Sequence, residues 1–451
     1  MSDSGKMNLT TKVLLGMALG IALGLFFNLT GMNAEGSFVN TYIVDGLFHV
    51  VGKMFVNALK MLVVPLVFFS LICGVCGIGD IRMLGRVGSK SFGLYMLTTA
   101  IAIATAITIA AVIGIGQGLE IPTDTAFTGK EAPPLSQVFI DIIPKNPINA
   151  MANGDMLPII FFAILVGISM LMVGHKAKSF IEGAEIANEI MMKMVTIIMS
   201  LAPYAVFALI AKAIASLGLA LLASLAGYVL VLVGALMFHL FITLMITLKV
   251  FSGLSPAMFI RKIRNAQVFA FSTASSNATI PVTMRTVTQR FGVNNSVASF
   301  TVPFGATINM DGTAIMQGVA TVFIANAYGV DLGIGGYLTV ILMSVLASIG
   351  TAGVPGVGLI MLSMVFDQVG LPVEGIALVL GVDRLMDMIR TAVNVSGDAA
   401  VSSIVAKSEG KLDIAVYNDP EAGMIDTDEA MHIDPAVEAE MAAAVQATHD
   451  K

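Results

Sequence analysis

The sequence carries too little charge to be wrapped in water. Asp, Glu, Lys and Arg together make up 12% of its 451 residues, against roughly 25% in soluble domains. A surface so poor in charge faces something other than water, and a bilayer fits. Basic residues form no cluster, so a nucleic-acid partner is not expected. Cysteine is limited to Cys73 and Cys76. Their C-x-x-C spacing lies inside the apolar run Leu62–Val75 without a βαβ context, so both read as packed thiols rather than a redox pair. Only five histidines occur. His49 and His239 are far in sequence from the polar motifs below, which disfavours a transition-metal centre. Tryptophan is absent, and this says nothing about function. A cleavage site is missing too. Val13–Phe27, behind Lys6 and Lys12, is followed by no convincing small-residue signal and by many more apolar spans. It reads as an uncleaved first transmembrane helix.

What is present is hydrophobicity, at 57% of residues with a mean hydropathy of +0.89. About 20 apolar residues cross a bilayer as a helix. Apolar runs fall near 11–29, 44–78, 92–117, 156–174, 187–215, 219–250, 295–326 and 373–406. Two further segments, 256–290 and 334–370, are interrupted in mid-run. The first breaks at Ser275–Pro281, the second at Gly350–Gly358, where glycine and proline end helices. Unwound backbone at membrane depth is tolerated only where it is buried or lines a polar cavity. Two re-entrant helical hairpins fit better than two plain spans, so the predicted fold is all-α and polytopic.

Charge placement suggests an orientation. Lys6, Lys12, Arg82, Arg86, Lys90, Lys176, Lys178, Arg261, Lys262 and Arg264 fall at turns on one side. Arg285, Arg290, Lys407 and Lys411 join them if each broken segment returns to its starting side. The opposite side holds little beyond Lys130 and Lys145. The positive-inside tendency then puts both termini in the cytoplasm. The formal net charge of −6 sits in a tail, since Lys411–Lys451 holds ten acidic residues and two lysines. Acidic, Ala-rich chain without a helical apolar period reads as solvated.

Each broken segment is followed by a long span with a similar hexapeptide, Asn309-Met-Asp-Gly-Thr-Ala and Asn394-Val-Ser-Gly-Asp-Ala. Paired interrupted segments in corresponding halves point to a transporter site between inverted repeats. The last span also holds Asp383, Asp387, Arg390, Asn394 and Asp398, which share roughly an 80° arc of one helix. Ionisable groups inside a membrane usually face a cavity and each other. One reading is a structural ion pair between Arg390 and Asp387 or Asp383. Three carboxylates near one guanidinium nevertheless leave negative charge that a transported cation would compensate. Arg390 offers a fork for a carboxylate, and Asp387 can accept from an ammonium. An acidic amino acid satisfies both, whereas a dicarboxylate or a neutral amino acid leaves one group unpaired. Asn309, Asp311, Thr313 and Asp398 supply oxygens, and kinked backbone at Gly305–Thr307 could add carbonyls; hard cations prefer such ligands. Tyr95, Thr98 and Thr99 on their own read as a packed span with self-bonded hydroxyls. Neither enzyme reading holds. The Ser/Thr-rich tip has no partnering base, and Gly353-x-x-Gly356-x-Gly358 lacks the strand, Lys and Ser/Thr of a phosphate loop.

With these motifs the chain resembles the dicarboxylate/amino acid:cation (Na+ or H+) symporter family, the glutamate transporter homologues, over about residues 8–412. The specific motifs are Ser275–Pro281, Asn309–Thr313, Gly350–Gly358 and Asp383…Asp387-x-x-Arg390-Thr391-x-x-Asn394-x-x-x-Asp398. The resemblance implies eight transmembrane helices plus two re-entrant hairpins with inverted repeats, in a homotrimer. Helices 1, 2, 4 and 5 would form a scaffold. Residues 84–118 and 219–410 would form a transport domain that moves like an elevator, and residues 413–451 a disordered acidic cytoplasmic tail. The hairpin at 334–370 would act as a gate. By the same resemblance Arg390 would hold the substrate's side-chain carboxylate with Thr313, and Asp387 its amine. Ser275, Ser276, Thr391 and Asn394, with backbone at Ala274, Val354 and Gly358, would enclose the rest. Co-transported sodium would take three sites. The first comprises Asp398 with backbone of Gly305, Asn309 and Asn394. Backbone at Thr307, Ser348, Ile349 and Thr351 forms the second. The third comprises Asp311, Asn309, Tyr95, Thr98 and Thr99, which gives the hydroxyls of the third span a function.

The resemblance also implies finer points. Gln317 stands where animal excitatory transporters carry a glutamate linked to proton and potassium coupling, so its neutrality implies neither is counter-transported. Arg390 and Asp387 together match relatives that carry acidic amino acids. The chain departs from some prokaryotic relatives at Ala274, where they place an arginine, and Arg384 cannot be assumed to replace it. The expected function is sodium-driven symport of L-aspartate and/or L-glutamate in a bacterial inner membrane, with lipid as the surrounding partner. Proton-driven uptake of glutamate or C4-dicarboxylates is the alternative. An ion channel is disfavoured because a permanently open pore needs no pair of gated hairpins.

Overall fold

The structure is a computed structural model that describes residues 9–76, 84–119, 140, 142–351, 353 and 355–423. Among these residues the only strand-like pairing is an isolated bridge between Val293 and Leu412; all other regular structure is helical. In chain order the helices are α1 (Leu9–Leu29), α2 (His49–Cys76), α3 (Ser89–Ile113), α4 (Pro147–Asn153), α5 (Met156–Val173), α6 (Lys178–Ser200), α7 (Ala202–Phe238) and α8 (Leu244–Ser252). There follow α9 (Pro256–Thr273), α10 (Ser276–Arg285), α11 (Asn295–Ile308), α12 (Asp311–Ala327), α13 (Gly333–Gly350), α14 (Val357–Gln368), α15 (Ile376–Ser408) and α16 (Ile414–Asn418). Among the described residues five stretches are long and apolar enough to cross a bilayer: Thr11–Leu29, Val39–Cys76, Arg86–Ile113, Pro158–Ser200 and Ala202–Ser252. The chain is a multi-pass membrane protein.

Two expected boundaries move. The apolar run 187–215 is divided at Leu201, where α6 gives way to α7, and Gly218 (φ 62°, ψ −145°) bends α7 between the expected spans 187–215 and 219–250. The first hairpin breaks at Ala274 and Ser275, earlier and more narrowly than expected. Ala274 is left-handed (φ 50°), the Ser275 side chain accepts from Ala278 N, and Pro281 sits inside α10. Pro281 lies beyond the capped first turn and removes one backbone hydrogen bond from α10 without ending it. The second hairpin breaks between Gly350 and Val357, as the glycine-rich run predicts.

Packing divides the molecule. Helix α1 lies along α7, and α2 lies against α5 and α6, with large apolar side chains such as Leu19, Phe26, Met54 and Met172 exposed. By contrast α15 is surrounded by α7, α9, α11 and α12, while α12 packs on α3. Among the described residues no buried polar side chain belongs to α1, α2, α5 or α6; they lie in α3 and in the segments from His239 onward. Because water is absent from the hydrocarbon, polar groups must be satisfied by other protein groups.

The chain's far end shows that the acidic tail does not start at residue 413. Asp413 caps α16 through Ala415 N and Val416 N, and Tyr417 is buried. Lys262 Nζ donates to Arg290 O at 2.6 Å, Val416 O at 2.6 Å and Tyr417 O at 2.9 Å. Unpaired carbonyls attract a cation, so this lysine pins residues 416–417 to the base of the first hairpin. Residues 424–451, most of the expected tail, lie outside the described residues, as do Lys6, Arg82 and Lys130. Arg86 and Lys90 both pair with Glu409, and Arg261 with Glu421. The starts of α3 and α9 therefore lie at the same end as the exit of α15, as the charge pattern predicts.

Candidate functional site

The centre of α15 is lined by the charged residues singled out in its sequence. Asp383, Asp387, Arg390, Asn394 and Asp398 are all buried. They fall into two clusters.

In the first, Arg390 Nη2 lies 3.0 Å from Asp383 Oδ1 and 2.9 Å from Asp387 Oδ1. The ion-pair reading is therefore realised with both carboxylates. It uses only one edge of the guanidinium, because Nε and Nη1 are buried with no hydrogen-bond partner among the described residues. A methyl group placed on Gly358 would lie 3.3 Å from Arg390 Nη1 and 3.3 Å from Thr313 Cγ2, so glycine leaves room where those groups meet. Arg384 Nη1 approaches Asp387 Oδ2 at 3.8 Å, a loose contact. A fully buried guanidinium with two free donors is costly unless a ligand supplies acceptors.

A small cavity beside Asp387, about 10 Å³ or room for one water, is lined by Ala274, Ser276, Met310, Thr313, Thr351, Gly353, Gly358, Asp387, Thr391 and Asn394. Most of the expected substrate residues are brought together here. Ser275 is turned away. Its hydroxyl donates to Gly353 O at 2.7 Å and accepts from Ala278 N at 3.2 Å. Val354 lies outside the described residues. Met310 and Gly353 line the cavity without having been expected. The two hairpin tips meet over it, since Asn277 N also donates to Gly353 O at 3.1 Å. Gly356 N reaches Asp387 Oδ2 at 3.3 Å.

The second cluster is an oxygen cage. Asn309 Nδ2 donates to Asp398 Oδ1 at 2.8 Å and to Asn394 O at 3.0 Å. A methyl group on Gly305 would lie 2.4 Å from Asp398 Oδ1 and 2.6 Å from Tyr95 Oη, so only glycine lets this backbone approach both. The expected first sodium set is thus contiguous. In the third set, Thr99 Oγ1 and Thr98 Oγ1 donate to Asp311 Oδ1 at 2.6 and 3.3 Å. Tyr95 is adjacent, but its hydroxyl donates to Thr301 O. The Thr99 hydroxyl is therefore turned toward a carboxylate, beyond what self-bonding in a packed span requires, whereas the Thr98 hydroxyl shares its proton between Asp311 and Tyr95 O of its own helix at 3.1 Å. The second set was expected through its backbone, and its side chains are engaged locally. The Ser348 and Thr351 hydroxyls close on Val345 O and Ala347 O, and the Thr307 hydroxyl closes on Phe304 O. Ser348 and Thr351 are buried, however, and Gly353 places the tip against Ala306 O.

One partner was missed. His239 Nε2 lies 3.0 Å from Asp311 Oδ2, both side chains buried. No motif links residues 72 positions apart, and the only sequence signal was a histidine inside an apolar span. Asn309 Oδ1 and Gln317 Oε1 are buried without partners. Among the described residues no group of three His, Cys, Asp or Glu forms a transition-metal site. The donors are carboxylate, amide and hydroxyl oxygens, a set that suits a hard monovalent or alkaline-earth cation.

Comparison with known proteins agrees with this chemistry. Residues 9–408 match the model of the sodium:dicarboxylate symporter family. The chain is 35% identical to the proton/glutamate-aspartate symporter of Escherichia coli over 90% of its own length and 94% of the relative's. It is 34% identical to the proton/sodium-glutamate symport protein of Geobacillus stearothermophilus, covering 90% and 96%. It is also 32% identical to the C4-dicarboxylate transport protein of Bacillus subtilis, covering 92% and 97%.

Proposed function

We propose that this chain, which belongs to the sodium:dicarboxylate symporter family and is a transporter rather than an enzyme, couples inward sodium movement to uptake of L-aspartate or L-glutamate. The observation that carries the reading is Arg390, fully buried, with Nε and Nη1 unpaired among the described residues and Asp387 one turn away. A substrate carboxylate fills the free guanidinium edge, with Thr313 beside it. The substrate's ammonium takes Asp387 Oδ2, replacing the long contact from Gly356 N. A C4-dicarboxylate would fill the arginine and leave Asp387 facing a second anion, which a buried site disfavours.

The bound amino acid is a net anion beside two further carboxylates, Asp311 and Asp398. Sodium in the oxygen cage compensates that charge, which makes the two binding events mutually favourable. The cavity has room for about one water, so substrate enters only when the two hairpin tips, which meet at Gly353, part. Gating by the second hairpin is part of this proposal. An elevator movement of the group around α15 against α1, α2, α5 and α6, within a homotrimer, is the accompanying proposal, as is placement in a bacterial inner membrane with cytoplasmic termini.

Proton coupling is the competing reading, because the Escherichia coli relative is named a proton/glutamate-aspartate symporter. Radiolabelled L-aspartate uptake into proteoliposomes separates the two. The expected result is accumulation under an inward sodium gradient, competed by L-glutamate more than by succinate. Accumulation under a proton gradient alone would overturn sodium coupling, and no uptake under either would overturn the roles of Arg390 and Asp387.

A further inference from the structure

The carboxylate of Asp311 is held differently on its two oxygens. Oδ1 accepts from the Thr99 hydroxyl at 2.6 Å and, more weakly, from the Thr98 hydroxyl at 3.3 Å, which also donates to Tyr95 O at 3.1 Å. Oδ2 accepts from one ring nitrogen, His239 Nε2 at 3.0 Å. A hydroxyl has both a proton and lone pairs, so it can rotate its proton elsewhere and offer oxygen to a cation. An imidazole N–H cannot do this, because the nitrogen that donates has no lone pair to give. The carboxylate as acceptor assigns the proton to Nε2. Nδ1, buried and without a partner among the described residues, keeps its lone pair unfilled. An unfilled acceptor is the lesser penalty, since the other tautomer would leave an orphan donor and remove the Asp311 bond.

We propose that His239 is a positioning residue for sodium, an N–H donor that anchors Asp311 Oδ2 so that Oδ1 faces the rotatable hydroxyls of Thr98 and Thr99. The inference rests on the sodium reading of this cage and adds to it a residue from a helix that contributes none of the cage oxygens. Asp311 opens α12 directly after the unwound Asn309 and Met310. Its backbone lies next to irregular chain, so a fixed contact to α7's continuation at His239 holds the carboxylate in one rotamer. Without it the carboxylate turns between two orientations, and sodium binding must restrict that freedom.

The test is equilibrium binding of L-aspartate to the purified full-length protein across a sodium series, for wild type, His239→Gln, His239→Asn and His239→Leu. Glutamine places an amide N–H near the position of Nε2, whereas asparagine is too short and leucine has no donor. The expected result is that His239→Leu and His239→Asn raise the sodium concentration for half-saturation about 10-fold or more, the loss of a hydrogen bond to a charged group. Aspartate affinity at saturating sodium stays near wild type, and His239→Gln stays within about 3-fold of wild type throughout. A purely structural role would instead lower the melting temperature in sodium-free buffer and leave the sodium dependence alone. Wild-type sodium dependence in all three variants overturns the proposal while the coupling reading stands. Equal shifts in the glutamine and leucine variants also overturn it, because the shape of the ring and not its donor would then matter. Should leucine prevent folding, the glutamine–asparagine pair gives the same comparison. Aspartate binding by the wild type that ignores sodium would overturn the coupling reading and this proposal with it.

Discussion

Helix α15 buries carboxylates at two levels, and the surroundings differ. Near its start Asp383 and Asp387 share the Arg390 guanidinium at 3.0 and 2.9 Å. Farther along, Asp398 has Asn309 at 2.8 Å, and neighbouring Asp311 has two threonines and His239. No lysine or arginine among the described residues pairs with either. The first level holds its own cation and has guanidinium donors to spare, so it suits an anionic group. The second holds anions stabilised by neutral donors, so it suits a cation. Both levels lie on one helix, and binding at one relieves the charge that makes binding at the other difficult.

The largest effect expected of a single change is at Arg390. Arg390→Ala leaves Asp383 buried without a cation and Asp387 with only the loose Arg384 contact, an imbalance of about 3–5 kcal/mol, and should lower kcat/KM for aspartate uptake by at least about 100-fold. Initial-rate uptake reads this directly, and rates within a few-fold of wild type would erase the distinction between the levels. Asp398→Asn and Asp311→Asn come next. Each keeps the shape and removes one negative charge, so half-saturating sodium should rise about 10-fold or more, with uptake partly recovered at high sodium. If neither variant changes the sodium dependence, the second level is not a cation site.

Gly358→Ala is a finer probe of the first level. Its methyl would press on Arg390 Nη1, Thr313 and Met316, each at 3.3 Å. Overpacking of this kind predicts a KM for aspartate raised about 5-fold with sodium dependence unchanged. A matching shift in sodium dependence would show that the levels are not separable. Glu409→Gln is the outside control and the smallest effect. Hydrogen bonds from Lys90 and Arg86 hold the Glu409 carboxylate below its usual range. A depressed carboxylate contributes stability that is present above its unfolded pKa of about 4.3 and is lost as pH falls through the lower folded value. The variant should melt slightly lower than wild type at neutral pH, converge with it in acid, and transport normally.

Much of this was legible in the sequence because composition and local chemistry decide it. Low charge and long apolar runs require a membrane. Glycine and proline at 350–358 break a helix whatever surrounds them. The spacing of Asp383, Asp387, Arg390, Asn394 and Asp398 places them on one face of any helix they form. Less legible were contacts between distant segments. Ser275 caps a helix and touches Gly353 instead of lining the cavity, and residues 413–423 pack where a solvated tail was expected.

The amino-acid sequence by itself determined the class of molecule, the apolar spans, the fact that two segments break in mid-run, and the residue types gathered on α15. Tertiary structure decided which charges neutralise each other, which guanidinium donors stay free, and that His239 meets Asp311. Periodicity follows from backbone geometry within a few turns and can be read along the chain. Charge compensation in a medium without water depends on distances of about 3 Å between segments far apart in sequence, and those distances exist only once the helices have packed.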